Sequence, residues 1–468
     1  MYDTSINRTL IRLIESWATT VNPYNSTEEI LAWVEEKNRK VKVAIRKRTY
    51  DYSGPDWHYD AVRGEIRNRT GTFFQIRGLR KIRDGEVLQE QPIIIQNEIG
   101  YLGIICKEFD GVLYFLMQAK IEPGNVNKIQ ISPTIQATKS NFMQVHGGRV
   151  PAYLEYFTNK KEYEIIADQI QSEQSSRFLG KRNRNIIILV EDEIEALDSH
   201  KWMTLGQIKQ LMEYDNLVNM DTRTVISCIP FALRDFSSEE LTYVRRLFSE
   251  ESFFKSVFFG HPGRKINRLF QYMNEFKMLD KSEIQLVDLY ALRNWCFDGN
   301  GEFGSPDGDF RIVYCDIEIE GREVQRWSQP LLEASGSSIF GLLYCEDGGI
   351  RKYLIQAKAE VGCFDGIEIG PSVQIGPHDK AANPVEKLFR ERMAKNRGIE
   401  FSGLFSEEGG RFYQEQNRNV IMRIEKTDLP ALLPEGFFWT DFQTLNILIQ
   451  FNNCLNIQLR NLLSILKL

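Results

Sequence analysis

Nineteen consecutive residues recur without a gap 238 positions further along the chain. Gln118-Ala-Lys-Ile-Glu-Pro-Gly-Asn-Val-Asn-Lys-Ile-Gln-Ile-Ser-Pro-Thr-Ile-Gln136 aligns on Gln356-Ala-Lys-Ala-Glu-Val-Gly-Cys-Phe-Asp-Gly-Ile-Glu-Ile-Gly-Pro-Ser-Val-Gln374 with nine identities. The identities are Gln, Ala, Lys, Glu, Gly, two Ile, Pro and Gln, a set that mixes polar groups with residues that shape a backbone. A shared core alone would have spared mainly apolar positions. The same offset pairs Trp57 with Trp295, Gln91-Pro92 with Gln329-Pro330, and Gly103 with Gly341. Slightly smaller offsets pair Asn183-Arg184-Asn185 with Asn417-Arg418-Asn419, and Leu217 to Arg223 with Cys454 to Arg460. Repeats of roughly 230 residues are far longer than a solenoid unit of about 20–50 residues, so the chain reads as two fused copies of one domain.

Composition narrows the class. With 468 residues, 42% hydrophobic and 26% charged, the chain can bury ordinary cores. A net charge of -6 and a pI near 5.7 supply no global basic field for a nucleic-acid backbone. The densest basic run, Lys37 to Arg48, alternates with Val41, Val43 and Ile45 and reads as a solvated strand edge. No window has the apolar length of a membrane span, and the first residues lack a signal peptide's apolar stretch, so a cytoplasmic protein is expected. Seven scattered cysteines contain no Cys-x-x-Cys pair and read as buried free thiols.

Ser26-Thr-Glu-Glu29 before Ile30, Leu31 and Trp33 has the form of a capping box opening a helix. From Trp57 to Gln136, short β-rich runs such as Tyr101-Leu-Gly-Ile-Ile105 and Val112-Leu-Tyr-Phe-Leu-Met117 alternate with Gly, Asp and Pro, predicting a mostly antiparallel or mixed sheet of hairpins. Residues 159–180 and 203–250 read as helical, with a strand at 185–190 between them. The second copy is expected to repeat the order from about 285, with strands at 310–319, 339–345 and 351–357 and helices at 384–394 and 440–466. The fold class is α+β, each copy a sheet flanked by helices. The expected domains are 1–235, a helical connector over 236–284, and 285–468.

Alternation at the end of a strand places Gln118, Lys120 and Glu122 on one face, an amide, a cation and a carboxylate. Alone this reads better as an exposed Lys-Glu pair on a strand face; its recurrence as Gln356, Lys358 and Glu360 turns the balance towards a site. Thr138-Lys139-Ser-Asn141 followed by His146-Gly-Gly-Arg149 is a polar loop suited to a diphosphate, and His146 is a candidate acid or base. Gly299-Asn-Gly-Glu-Phe-Gly304 matches a dinucleotide fingerprint only formally, because no suitable strand precedes it and Ser305-Pro-Asp-Gly308 follows; it reads as a hairpin loop. Walker, nucleophile-elbow and zinc-ligand motifs are missing, so neither a cofactor nor a metal is expected.

The run Gly111 to Asn141, then Val145-His-Gly-Gly148, Tyr153-Leu-Glu-Tyr-Phe157, Trp57-His, Gly71-Thr-Phe-Phe, Gln91-Pro-Ile-Ile and Lys181-Arg-Asn-Arg-Asn185, resembles the NDP-hexose 2,3-dehydratases of deoxysugar biosynthesis over nearly the whole chain. The resemblance implies a tandem duplication of a Nudix-like domain, a homodimer, and loss of water from dTDP-4-keto-6-deoxyglucose without a metal. A base would take the C3 proton, made acidic by the C4 ketone, and hydroxide would leave C2. The unstable 3,4-diketo product implies a partner 3-ketoreductase. The resemblance does not assign roles; by residue type and spacing, Lys120, with Gln118, is expected to face the enolate, Glu122 or His146 to exchange protons, Lys139 and Arg149 to meet the diphosphate, Asn141 to bind substrate, and Trp57 or Tyr114 to stack on thymine. The second copy, with Gly376-Pro-His378-Asp-Lys380 in place of the polar loop, is expected to be a site without activity. The alternatives are a Nudix-like NDP-sugar pyrophosphatase, whose glutamate cluster Arg390-Glu391-Arg-Met only hints at, and a non-catalytic sugar-nucleotide-binding module.

Overall fold

The computed structural model describes residues 4–71, 73–138, 150–158, 163–232, 236–320 and 324–468. Two seven-stranded sheets have the same connectivity. In the first, the strands run Glu164–Ser172, Arg182–Leu189, Gly100–Phe109, Val112–Ile121, His200–Thr204, with Ile129–Ser132 on Val112–Ile121 and Ile135–Ala137 on Gly100–Phe109. In the second, Ile399–Ser406, Gln416–Arg423, Ile339–Asp347 and Ile350–Lys358 follow in that order. Here Glu368–Pro371 and Phe437–Thr440 pair with Ile350–Lys358, and Val373–Ile375 with Ile339–Asp347. Each sheet has one parallel pair, Arg182–Leu189 on Gly100–Phe109 and Gln416–Arg423 on Ile339–Asp347, and is otherwise antiparallel. The α+β class and the duplicated layout thus hold at the level of strand order.

The Ser26 capping box forms as read and opens the helix Thr27–Lys40. The Gly-rich segment at 299–304 is the loop of a small hairpin between Cys296–Phe297 and Phe303–Gly304. The helical reading of 159–180 is corrected: Glu164–Ser172 is a strand, antiparallel to Arg182–Leu189. A bulge between Ile165 and Ala167 breaks its alternation, so adjacent apolar residues mimic a helical period. The expected helix over 440–466 is two short ones, Phe442–Leu448 and Ile457–Ser464.

The two copies exchange strands. Val43–Lys47, from the first copy's leading segment, pairs with Phe310–Ile319 of the second, and Glu283–Val287, which leads the second copy, pairs with Gln75–Arg83 of the first. The basic run is therefore split: Lys37, Arg39 and Lys40 close the helix Thr27–Lys40, and Val43–Lys47 lies along an edge of the second copy's smaller sheet, where Lys47 Nζ stands 2.7 Å from Glu333 Oε2 and 3.2 Å from Glu302 Oε1. The helices Met220–Ser227 and Ile457–Ser464 pack on each other. From them Arg223 donates to Ser406 O at 2.8 Å and Arg460 to Ser172 O at 2.5 Å, each reaching the opposite copy. A buried guanidinium without partners would cost several kcal/mol. Backbone carbonyls satisfy both, and so tie the copies together at their centre.

Candidate active site

The strand Val112–Ile121 runs into the Pro123-Gly124 turn and returns as Ile129–Ser132, which brings Gln118 opposite Ser132 and Lys120 opposite Gln130. Lys120 Nζ lies 3.7 Å from Glu122 Oε1 and donates to Gln136 O at 3.2 Å. Gln136 Nε2 donates to Glu122 Oε1 at 2.9 Å. Asn219, the N-cap of Met220–Ser227, donates from Nδ2 to Gln136 Oε1 at 3.2 Å and to Ser132 Oγ at 3.0 Å. A helix cap thus orients the amide that orients the carboxylate. The second copy repeats the device. Lys358 Nζ donates to Gln374 O at 3.2 Å, Gln374 to Glu360 Oε1 at 2.7 Å, and Asn456 to Gln374 Oε1 at 3.1 Å. Of the polar identities between the repeats, the Lys, the Glu and the second Gln are members of this network.

Each network is closed by the other copy. Gly124 N donates to Gly409 O at 2.7 Å, and Gln414 N to Gly124 O at 2.8 Å. A Cβ on Gly409 would fall 2.2 Å from Asn125 Oδ1 and 2.9 Å from Glu122 Cβ, so the approach requires glycine there. Glu408 and Arg411 of the second copy are thereby set beside the first copy's cluster, with Arg411 donating to Gln96 Oε1 from Nε at 3.2 Å and from a terminal nitrogen at 3.0 Å. The reciprocal contact joins Gly362 N to Ser175 O at 2.8 Å, beside Arg177.

Around Lys120 and Glu122 stand Glu173, Asp221 and Glu408, close enough to perturb one another's titration. Glu173 accepts from Asn183 Nδ2 at 2.6 Å, and Lys181 Nζ donates to Asn183 Oδ1 at 3.0 Å and to Glu98 O at 2.5 Å. Burial raises the Glu173 carboxyl, opposed by Lys181 and Arg460. Burial, then the negative charges of Glu173, Glu122 and Glu408, hold Asp221 well above the carboxylate range, with Lys120 opposing. Burial likewise pushes Glu408 up to about 7 against Arg411. Lys181 is pulled down, chiefly by burial. Burial and mutual repulsion thus favour the protonated forms of Glu173, Asp221 and Glu408, beside the amines of Lys120 and Lys181.

Of the residues singled out from sequence, Lys120 and Glu122 meet in this network. Gln118 is half-buried on the same strand, opposite His200. Gln356, Lys358 and Glu360 assemble equivalently in the second copy, where burial raises the Glu360 carboxyl. Trp57 is buried against Phe73 and Phe74, and Tyr114 against Phe109 and Tyr24. Tyr114 also lies six residues up the strand from Lys120, about 20 Å away. The structure brings neither aromatic to the cluster, because both were absorbed into apolar cores. Lys139, Asn141, His146 and Arg149 lie outside the described residues.

Residues the sequence reading missed are Glu173, Lys181, Asp221, Glu408 and Arg411. A signal was present: Glu173-Gln-Ser-Ser-Arg-Phe178 is answered by Glu407-Glu-Gly-Gly-Arg-Phe412, directly before the paired Asn-Arg-Asn triplets. Among the described residues, no group of three His, Cys, Asp or Glu is disposed to hold a metal ion.

Comparison with known proteins shows the family. The family model of NDP-hexose 2,3-dehydratase matches residues 27–229 and 266–466, one segment in each copy. Three relatives are named dTDP-4-dehydro-6-deoxy-alpha-D-glucopyranose 2,3-dehydratase. That of Saccharopolyspora spinosa is 34% identical over 97% of this chain and 94% of its own length. That of Streptomyces violaceoruber is 36% identical over 93% and 96%, and that of Amycolatopsis orientalis 34% over 97% and 93%. With a family model spanning both copies and relatives matched almost end to end, the chain belongs to the NDP-hexose 2,3-dehydratase family.

Proposed function

We infer that the protein is a carbon-oxygen lyase that removes water across C2–C3 of a dTDP-4-keto-6-deoxyhexose, giving a 3,4-diketo-2,6-dideoxy sugar in deoxysugar biosynthesis. The observation that carries the reading is the cation and carboxylate of Lys120 and Glu122, oriented by Gln136 and set among carboxyls that retain protons. The C4 ketone makes the C3 proton acidic, so the chemistry asks for no redox cofactor. Lys120, beside Gln118, stabilises the enolate oxygen, and Glu122 or His146 takes the C3 proton. Lys139, Asn141 and Arg149 are assigned to the nucleotide-sugar.

The finer architecture is part of the same reading. Each copy is Nudix-like, with a mixed sheet and flanking helices, and the second copy's cluster is vestigial. The chain divides at about 235 and 284; the strand exchange supports counting Ser238–Arg245, Glu251–Phe258 and Gly263–Leu279 as the second copy's counterpart of the N-terminal helices. The protein acts as a cytoplasmic homodimer and passes its unstable product to a 3-ketoreductase. Among the described residues, no helix is long and apolar enough to cross a membrane.

The test is to incubate the protein with dTDP-4-keto-6-deoxyglucose, with and without a sugar 3-ketoreductase and NADPH, and to follow the nucleotide sugar by mass spectrometry. A species lighter by one water, trapped as the 2-deoxy sugar only with the reductase, is the expected result. Unchanged substrate, or release of dTMP and sugar phosphate, would overturn it.

A further inference from the structure

One copy carries a buried carboxyl that the other lacks. Leu217 to Arg223 aligns on Cys454 to Arg460, and most of what this segment does is common to both: Asn219 and Asn456 cap their helices, and Arg223 and Arg460 bind the opposite copy. Between cap and arginine, Asp221 is answered by Gln458. Asp221 is 2% exposed, and its Oδ1 has no hydrogen-bond partner among the described residues. Leaving such an atom unsatisfied costs about 1–3 kcal/mol. It sits two residues past Asn219, whose amide holds Gln136, and Gln136 in turn holds Glu122 and Lys120. The surroundings differ too: Glu408 is answered by Gln174, whereas Lys181 is answered by Glu415.

We propose that Asp221 is the catalytic acid of the dehydration, giving its proton to the hydroxyl that leaves C2, a step that Gln458 cannot perform from the equivalent position of the second copy. The assignment rests on the dehydratase reading. After the base takes the C3 proton, the enolate electrons form the C2=C3 bond, the C2–O bond breaks, and the Asp221 proton completes the departing water. Asp221 is left ionised, and the proton now on the base restores it through the coupled cluster, so one water leaves and nothing else is consumed. Burial, then the neighbouring carboxylates, raise the Asp221 carboxyl well above its ordinary value and so favour its protonated form. The helix N-terminus opposes this by about 1 kcal/mol or less, below the several kcal/mol of burying a charge. Glutamine can hydrogen-bond a hydroxyl but cannot protonate it.

The experiment separates the two halves of the reaction. Wild type and Asp221→Asn are incubated with dTDP-4-keto-6-deoxyglucose in D2O, and mass spectrometry follows both deuterium entering C3 and loss of water. The expected result is water loss slowed by about 100-fold or more, with exchange at C3 retained, since base and enolate stabiliser are untouched. Water loss within tenfold of wild type would overturn the assignment, and so would loss of exchange together with elimination. Asp221→Ser, read on the same two rates, serves if the Asn variant does not fold. Failure of wild type to lose water, even with the trapping reductase, would refute the dehydratase reading itself and is distinguishable from either variant result.

Discussion

Replacing Glu368 by Gln should make the protein more stable at alkaline pH, by an amount the structure allows to be worked out. Glu368 is 1% exposed in the second copy; Ser172 Oγ donates to its Oε2 at 3.1 Å, and its Oε1 has no hydrogen-bond partner among the described residues. Burial is the main cause that pushes its carboxyl up from 4.5 to about 8, with Arg460 and Ser172 opposing. The native carboxyl therefore holds its proton across a window in which the unfolded one has lost it. The native state binds more protons there, so its contribution to stability is complete below 4.5 and is lost as pH rises to about 8. Between pH 5 and 9, three pH units of that window at 1.36 kcal/mol each give about 4 kcal/mol. Gln does not titrate, so the stability difference between the variant and wild type should widen by about that amount from pH 5 to pH 9. The first copy shows that the substitution fits: Gln130 occupies the equivalent place and donates to Ser406 Oγ at 2.7 Å. Urea unfolding followed by tryptophan fluorescence at both pH values measures the difference, and effects that do not depend on pH cancel. A difference that stays constant within about 1 kcal/mol would refute the buried, protonated state of Glu368.

Lys120→Met and Glu122→Gln should each lower the dehydration rate by about 10²- to 10⁴-fold without lowering the melting temperature substantially; unchanged turnover in either would remove that residue from the reaction. Gly409→Ala places a methyl group 2.9 Å from Glu122 Cβ and 2.2 Å from Asn125 Oδ1. It should cost about 1–3 kcal/mol and slow turnover at least about tenfold, and a variant native in both melting and rate would show that this approach is not needed. Residues 1–235 and 236–468, expressed apart, should each aggregate, because each lacks the strand the other lends it, whereas co-expression should give a complex that co-purifies. A folded, monomeric 1–235 fragment would contradict the exchange.

The family resemblance and the duplication were legible because they are properties of residue order. Repeats preserve local chemistry, and the Lys120-x-Glu122 and Gln136 positions survive in both copies since a strand, a turn, a returning strand and the short strand Ile135–Ala137 after it bring them together. The hairpin at 299–304 and the Ser26 cap were readable for the same reason, each being settled by contacts within a few residues. The burial of Trp57 and Tyr114 was not legible, because an aromatic side chain carries the same signal in a core as in a binding site; only the packing of Phe74 and Phe109 around them shows it. Glu164–Ser172 was misread because a bulge shifted its alternation, and the strand is specified by its partner, Arg182–Leu189.

The composite character of the site lay furthest from view. Glu122 and Glu408 are separated by 286 residues, more than the 238-residue offset between the repeats, and no local periodicity connects them. They meet because the two copies cross strands and lock their central helices through Arg223 and Arg460, and because Gly409 leaves room for Glu122. Burial then converts that proximity into raised carboxyl pKa values, a property of excluded water and neighbouring charge that no residue carries in its own name. Residue order settled the parts and their duplication; the tertiary structure decided which carboxyls share one proton reservoir, since that depends on distance through space and on exclusion of solvent.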